Sequence, residues 1–470
     1  MTRRTHLQQK MAPLMKQQDL FEQAKDYAYE YLDGIFDRNV YPTAEALAAL
    51  NHFDEALPGA PGDPAEMLRM LHQFGSPATV ASTGGRYFGL VVGSVFPPVM
   101  AAKWLSDVWD QLSALYVTSP IISKLEAVSE KWVVELLGLP EGCAAGFVSG
   151  SSMAILCGLA AARHELLQRA GWDVNAQGLF GAPPMRVVVG AEAHSTVFKS
   201  LALLGLGKDR IERVPVDDQG RMLASQVPAL DSKTLLILQA GNVNSGSFDP
   251  LDELCALGNA AHAWVHMDGA FGLWAAASKN QQHLTKGMEK ADSWSVDGHK
   301  TLNTPYDSGI VLCKHREALV SALQATGSYI LYGENRDGML YTPEMSRRGR
   351  ALELWATLKI LGKSGVEELV DTLCARTQQF ARLMQKEGFT ILNDVVFNQA
   401  LVACSSPEET AAVLKNLQQS GECWCGGARW RDTPVIRVSV CSWATTEEDI
   451  ERSVAAFVQA RKATSLPPAA

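Results

Sequence analysis

No block of like charge runs along these 470 residues: 42 basic and 51 acidic side chains are interspersed, for a net charge of −9. A chain without a basic stripe or tail is not built to hold nucleic acid or an anionic membrane surface, so a small molecule is the expected partner. An apolar run of membrane-spanning length is also missing. The longest, "YFGLVVGSVFPPVMAA", is too short and carries Pro97-Pro98, and reads as buried interior. The nine cysteines show no paired metal spacing, and Cys423 and Cys425 flank one residue where redox or zinc pairs usually flank two; reduced thiols and no metal are expected. "MTRRTHLQQKMAPLMKQQ" is basic but lacks the apolar core of a secretory signal, which points to a cytoplasmic protein. Repeats and low-complexity linkers are lacking too, so domain boundaries rest on changes of pattern.

What is present is a hydrophobic content of 47%, enough for a large core in more than one folding unit. Residues 1–85 read as a helical arm, with "LPGAPGDPAE" as a Pro/Gly-rich loop. From 86 to 345, apolar β-branched runs alternate with helical stretches. "MRVVVG", "TLLILQA", "AWVHMDG" and "GIVLCK" are expected strands, and the spacing between them allows crossover helices, giving a mostly parallel α/β sheet. In "SPIISKLEAVSEKWVVELLGLP", Ser119 caps a helix whose Leu125, Val128, Trp132 and Leu136 share a face. Residues 346–470 form a smaller α+β unit. There "TPVIRVSVCSW" sets Ile436, Val438 and Val440 on one face and Arg437, Ser439 and Cys441 on the other, and Thr445 with Glu448 forms a capping-box signature.

In open α/β sheets ligands sit at the carboxyl ends of the strands, and four such ends stand out. "GFVSGSSMAILCGLAAAR" is a Gly/Ser turn opening a helix, where amide N–H groups and the hydroxyls of Ser151 and Ser152 suit a phosphate; by itself it reads better as an ordinary serine cap. His194 follows the strand "MRVVVG". Asp268 ends "AWVHMD", and the small Gly269 and Ala270 after it let a flat ring approach. In "DGHKTLNTPYDSG", Asp297, His299 and Lys300 follow "ADSWSV", and a buried lysine loses its proton readily enough to serve as a nucleophile. Each alone has a bland reading: a solvated histidine, a capping aspartate, a loop lysine. Together and in this order, an anion site, a ring clamp, a carboxylate and an amine answer the needs of pyridoxal phosphate, with Lys300 as covalent anchor.

"GGRYFG", "AHSTV", "HMDGAFG", "DGHKTLNTPYDSG", "SRRGRALELWATLK" and "VIRVSVCSW" resemble the group II pyridoxal-phosphate-dependent amino-acid decarboxylases, the family of the aromatic amino-acid and glutamate decarboxylases. The resemblance implies the type I pyridoxal-phosphate transferase fold, a homodimer with active sites at the interface, and decarboxylation of an L-amino acid to an amine. It implies that Ser151 and Ser152 bind phosphate, His194 stacks on the ring, Asp268 meets the ring nitrogen, Ala270 lies beneath the ring, and His299 and Lys300 form the His-Lys pair. Arg437 matches an arginine near the substrate carboxylate, with an exposed strand arginine as the plain alternative. Tyr329, or Tyr332 nearby, matches a lid tyrosine that handles the proton, on a lid shorter than in the animal aromatic enzymes. Val91, Val92, Gly93 and Ala114 stand where bulkier pocket residues are found, which favours an apolar or aromatic substrate. Arg347 and Arg348 are expected in ion pairs on a helix surface or at an interface, with a role across the dimer as the alternative. Other pyridoxal-phosphate reactions remain rivals: transamination, carbon–carbon cleavage, or oxidative decarboxylation to an aldehyde. A cofactor-binding protein without turnover is the more distant one.

Overall fold

The computed structural model describes residues 5–325 and 333–464; Tyr329 and Tyr332 lie outside them. Seven strands build the main sheet: β1 Ala144–Val148, β2 Arg186–Gly190, β3 Glu212–Val214, β4 Thr234–Gln239, β5 Trp264–Asp268, β6 Ser293–Asp297 and β7 Gly309–Cys313. Their order is β1-β7-β6-β5-β4-β2-β3. The pairings from β3 across to β6 are parallel, and β7 runs antiparallel to both of its neighbours. The expected strands β2, β4 and β5 lie in the parallel part, buried along nearly their whole length as such strands are, while "GIVLCK" turned out to be the antiparallel β7.

Helix Ser151–Arg169 lies across one face of this sheet, with ten of its residues buried. Gly158 faces the His266 ring so closely that a Cβ would overlap it. Three tryptophans, Trp264, Trp274 and Trp294, are fully buried, each a large apolar contribution. Each also places its indole N–H: on Ser293 Oγ (2.9 Å), on the Asp297 carbonyl (2.8 Å) and on the Met288 carbonyl (2.9 Å).

A second, antiparallel sheet is formed by β8 Thr390–Ile391, β9 Gln399–Ala403, β10 Gly426–Trp430 and β11 Thr433–Ser439, in the order β10-β11-β9-β8. Ile436, Val438 and Val440 are fully buried in its core. The opposite face of β11 is not solvent-facing: Ser439 and Cys441 are buried as well, because this face looks onto the large sheet.

Three local expectations are corrected. The capping box sits one residue later than read, at Thr446 and Asp449, each side chain accepting from the other's amide at 3.1 and 3.0 Å; the Thr445 hydroxyl instead donates to the Gly85 carbonyl. Ser119 does cap helix Pro120–Leu136, but of the expected stripe only Leu125 is buried; Ile122, Glu126, Ser129 and Val133 lie deepest. Arg347 and Arg348 precede helix Ala351–Lys386, which kinks at Gly362, and are not on a helix surface. Arg347 is buried against Glu126 (2.8 Å), which also holds Arg336 (3.1 Å), and Arg348 pairs with Asp307 (2.7 Å) and Glu353 (2.5 Å).

All nine cysteines are free thiols, eight of them buried. Among the described residues no helix is long and apolar enough to cross a membrane, and no cluster of His, Cys, Asp and Glu is placed to hold a metal ion.

Candidate active site

The carboxyl ends of β2, β5 and β6, the turn after β1 and one residue of β11 converge on one place. After β1, Gly150 caps helix Ser151–Arg169 without a side-chain bond. The serine-cap alternative therefore fails, and the Ser151 and Ser152 hydroxyls have no partner among the described residues. His194 caps helix Ser195–Leu203: its Nδ1 accepts the Thr196 amide (3.3 Å) and lies 2.7 Å from the Thr196 hydroxyl. The neutral ring thus carries its proton on Nε2. Burial pulls this imidazole below its ordinary pKa; the Asp268 carboxylate opposes that, while Lys300 and Arg437 reinforce it.

Asp268 ends β5 and is buried. Among the described residues its only donor is the Ala270 amide, at 3.2 Å. Burial pushes its carboxyl up, against the pull of His194 and Lys300. A carboxylate this dry and this poorly matched calls for a cation, and a protonated ring nitrogen is one.

Lys300 follows β6. Its side chain is 20% exposed, with Nζ 3.1 Å from Asp297 Oδ2. His299 Nδ1 accepts the Ser308 amide at 3.0 Å, which turns Nε2 toward Asp297 Oδ2 at 3.6 Å, and its ring stacks on Tyr306 with centroids 4.3 Å apart. Burial lowers the His299 pKa, with Asp297 opposing. Arg437 Nη1 donates to the Val243 carbonyl at 3.2 Å and has no carboxylate partner among the described residues. Arg437 is half-buried and not an exposed strand arginine, and this burial draws its guanidinium below the ordinary value.

The pocket residues divide. Gly93 is pressed against the lysine loop, its amide donating to the His299 carbonyl at 3.2 Å, and a Cβ there would overlap the Lys300 carbonyl oxygen. Val91 is buried beside it and Val92 partly so. Ala114 packs with Met339 in a small separate cluster and is not brought to the lysine.

Unpartnered hydroxyls at a helix N-terminus, a carboxylate in need of a cation, a reachable amine and a nearby imidazole fit pyridoxal phosphate. The conserved domain of the pyridoxal-dependent decarboxylases matches residues 79–403, well over half the chain. The chain belongs to this family. The decarboxylase is 28% identical over 386 residues to the aromatic-L-amino-acid decarboxylase of Drosophila lebanonensis, which covers 76% of this chain and 93% of that one. Over 257 residues it is 31% identical to the aspartate 1-decarboxylase of Aliivibrio fischeri, covering 51% and 47%. Its fold is similar to that of Oryza sativa TDC solved with PLP and tryptamine, with a TM-score of 0.87 at 19% identity, covering 96% and 98%. The protein is therefore a pyridoxal-phosphate-dependent amino-acid decarboxylase with the type I fold.

Sequence reasoning passed over three groups. Asp297 was noted without a role, yet it holds Ser151, His299 and Lys300 together; the alternation Ser293, Ser295, Asp297 on one face of a buried strand was its signal. Tyr306 gave none. Trp424 stacks on Tyr87 with centroids 5.1 Å apart and so braces the segment leading to Gly93.

Proposed function

We propose that this decarboxylase converts an apolar or aromatic L-amino acid to its amine and carbon dioxide. Lys300 anchors the cofactor, Ser151 and Ser152 bind its phosphate, His194 and Ala270 flank its ring, and Asp268 meets its nitrogen. Bound pyridoxal phosphate supplies the electron sink that lets the bond to the α-carboxylate break. The chain's own residues orient and charge the site. Asp268 stabilises a proton on the ring nitrogen, His194 presents Nε2–H, His299 steadies the lysine loop, and Arg437 meets the substrate carboxylate. The hydroxyl of Tyr329, with Tyr332 as its alternative, returns a proton to the α-carbon.

The observation that carries the substrate class is the surface beside the lysine. Tyr306 stands open there, 51% exposed with its ring on His299, and Leu90, 60% exposed, lies three residues before Gly93, whose amide holds the His299 carbonyl. Besides Lys300, the cation whose charge reaches His194 is Arg437, and once it holds the α-carboxylate it is not free for an acidic side chain. Purified protein supplied with pyridoxal phosphate and a panel of L-amino acids is expected to release carbon dioxide and matching amine from aromatic or large apolar substrates. Turnover of aspartate or glutamate alone sinks the assignment.

We read the chain as three units, divided near residues 85 and 345; the helical N-terminal segment and the two separate sheets support this. The nine free thiols fit a reducing cytoplasm. The working form is a homodimer with its sites at the interface. Helix Pro97–Trp109 and the segment after it support this, with Trp104, Leu105, Val108, Val117 and Ile121 between 42% and 78% exposed, a contiguous apolar stretch that a second copy covers. Light scattering is expected to give twice the 51.0 kDa chain mass, and Val108→Lys to shift it toward monomer with loss of activity. A monomeric wild type with full turnover defeats the dimer.

A further inference from the structure

The anion that occupies the helix N-terminus at Ser151 belongs to the protein itself. Asp297 Oδ1 accepts the Ser151 amide at 2.5 Å, while Oδ2 faces Lys300 Nζ at 3.1 Å and His299 Nε2 at 3.6 Å. The side chain is 1% exposed and has little room to withdraw. Its backbone is fixed on both sides: the amide donates to the Ala270 carbonyl at 2.9 Å and the carbonyl accepts the Trp274 indole at 2.8 Å. The Gly150 turn is pressed close as well. A Cβ on Gly150 would lie 3.3 Å from His299 Cε1 and 3.7 Å from Asp297 Oδ1.

We propose that Asp297 competes with the cofactor's phosphate for the Ser151 amide and thereby limits how tightly the cofactor is held. The proposal rests on the reading of the Ser151 turn as the phosphate site. A helix N-terminus favours one anion. A phosphate that takes the Ser151 amide must displace the carboxylate or share the donor with it, and two anions that close repel strongly where water is excluded. Lys300 and the helix end offset part of this repulsion, so binding is weakened and not abolished. The effect acts on the phosphate alone. A ligand with the same ring and aldehyde but no phosphate does not meet it.

That difference gives the test. Apoprotein is titrated with pyridoxal phosphate and, separately, with pyridoxal, following intrinsic fluorescence and visible absorbance, in wild type, Asp297→Asn and Lys300→Ala. Asp297→Ser replaces the asparagine variant if that one does not fold. Removing the carboxylate is expected to raise the preference for pyridoxal phosphate over pyridoxal by about tenfold or more, a difference of about 1.4 kcal/mol or more. An unchanged or smaller preference overturns the proposal. Lys300→Ala reports on the anchor separately. A flat preference together with loss of the visible band in this variant rejects the competition and keeps the anchor, whereas a band that survives Lys300→Ala rejects the anchor whatever the preference does.

Discussion

Lys300→Ala is expected to cut carbon dioxide release by several orders of magnitude, and Lys300→Arg to fall as far. The two variants separate chemistry from charge. The lysine pairs with the buried Asp297 at 3.1 Å, so alanine removes both a nucleophile and the counter-ion of a carboxylate that has almost no water. Arginine restores the positive charge beside Asp297, but its guanidinium does not give up a proton under ordinary conditions and cannot attack an aldehyde. Thermal unfolding is therefore expected to drop for the alanine variant and to recover for arginine, while turnover stays lost in both. Appreciable turnover by the arginine variant means that Lys300 serves as a charge only, and the covalent role is wrong.

Glu126→Ala is expected to destabilise the fold by about 3–5 kcal/mol, the range for removing one partner of a buried ion pair. Glu126 and Arg347 are each 1% exposed and 2.8 Å apart, and Arg336, 6% exposed, pairs with the same carboxylate at 3.1 Å. Arg336 keeps Glu130 at 2.7 Å, but Arg347 has no second carboxylate among the described residues. Alanine thus leaves a guanidinium dry and uncompensated. The contrast is Lys363→Ala, which breaks a pair with Glu135 at 71% and 61% exposure and is expected to change little, since water replaces such contacts at small cost. Denaturant midpoints for both variants check this. Equal effects would mean that the buried network relaxes or admits water when opened.

The sequence made the chemistry legible before the geometry. Lys300, Asp268 and His194 each end or follow a strand, and their order along the chain carried the cofactor reading. The strands β2 and β4 were readable because Val, Ile and Leu run through them, and β5 because Trp264, Val265 and Met267 lead to a closing Asp268. β1, "AAGFV", was not, since Ala and Gly carry little strand preference and only burial between neighbours makes the segment a strand. Glu126 in the deepest stripe of its helix could not be foreseen either, because what justifies burying it is a pair of arginines more than two hundred residues away. Asp297 shows the same limit at the site. Its place in the motif was visible, but its grip on the Ser151 amide is a contact between distant segments that no local pattern encodes.

Asn303 joins the lysine loop to the rest of the molecule. Its side-chain oxygen accepts the amides of Ser94 (3.1 Å) and Trp443 (2.8 Å), and its Nδ2 donates to the carbonyls of Lys300 (3.1 Å) and Cys441 (2.8 Å). One amide group thus ties the lysine loop to the segment just after Gly93 and to the residues that follow β11, the strand of Arg437. The small sheet cannot tilt as a free flap over the large one. Any such swing pulls on three segments through a single knot, so the amine and the arginine keep their spacing only while the two sheets move as one body.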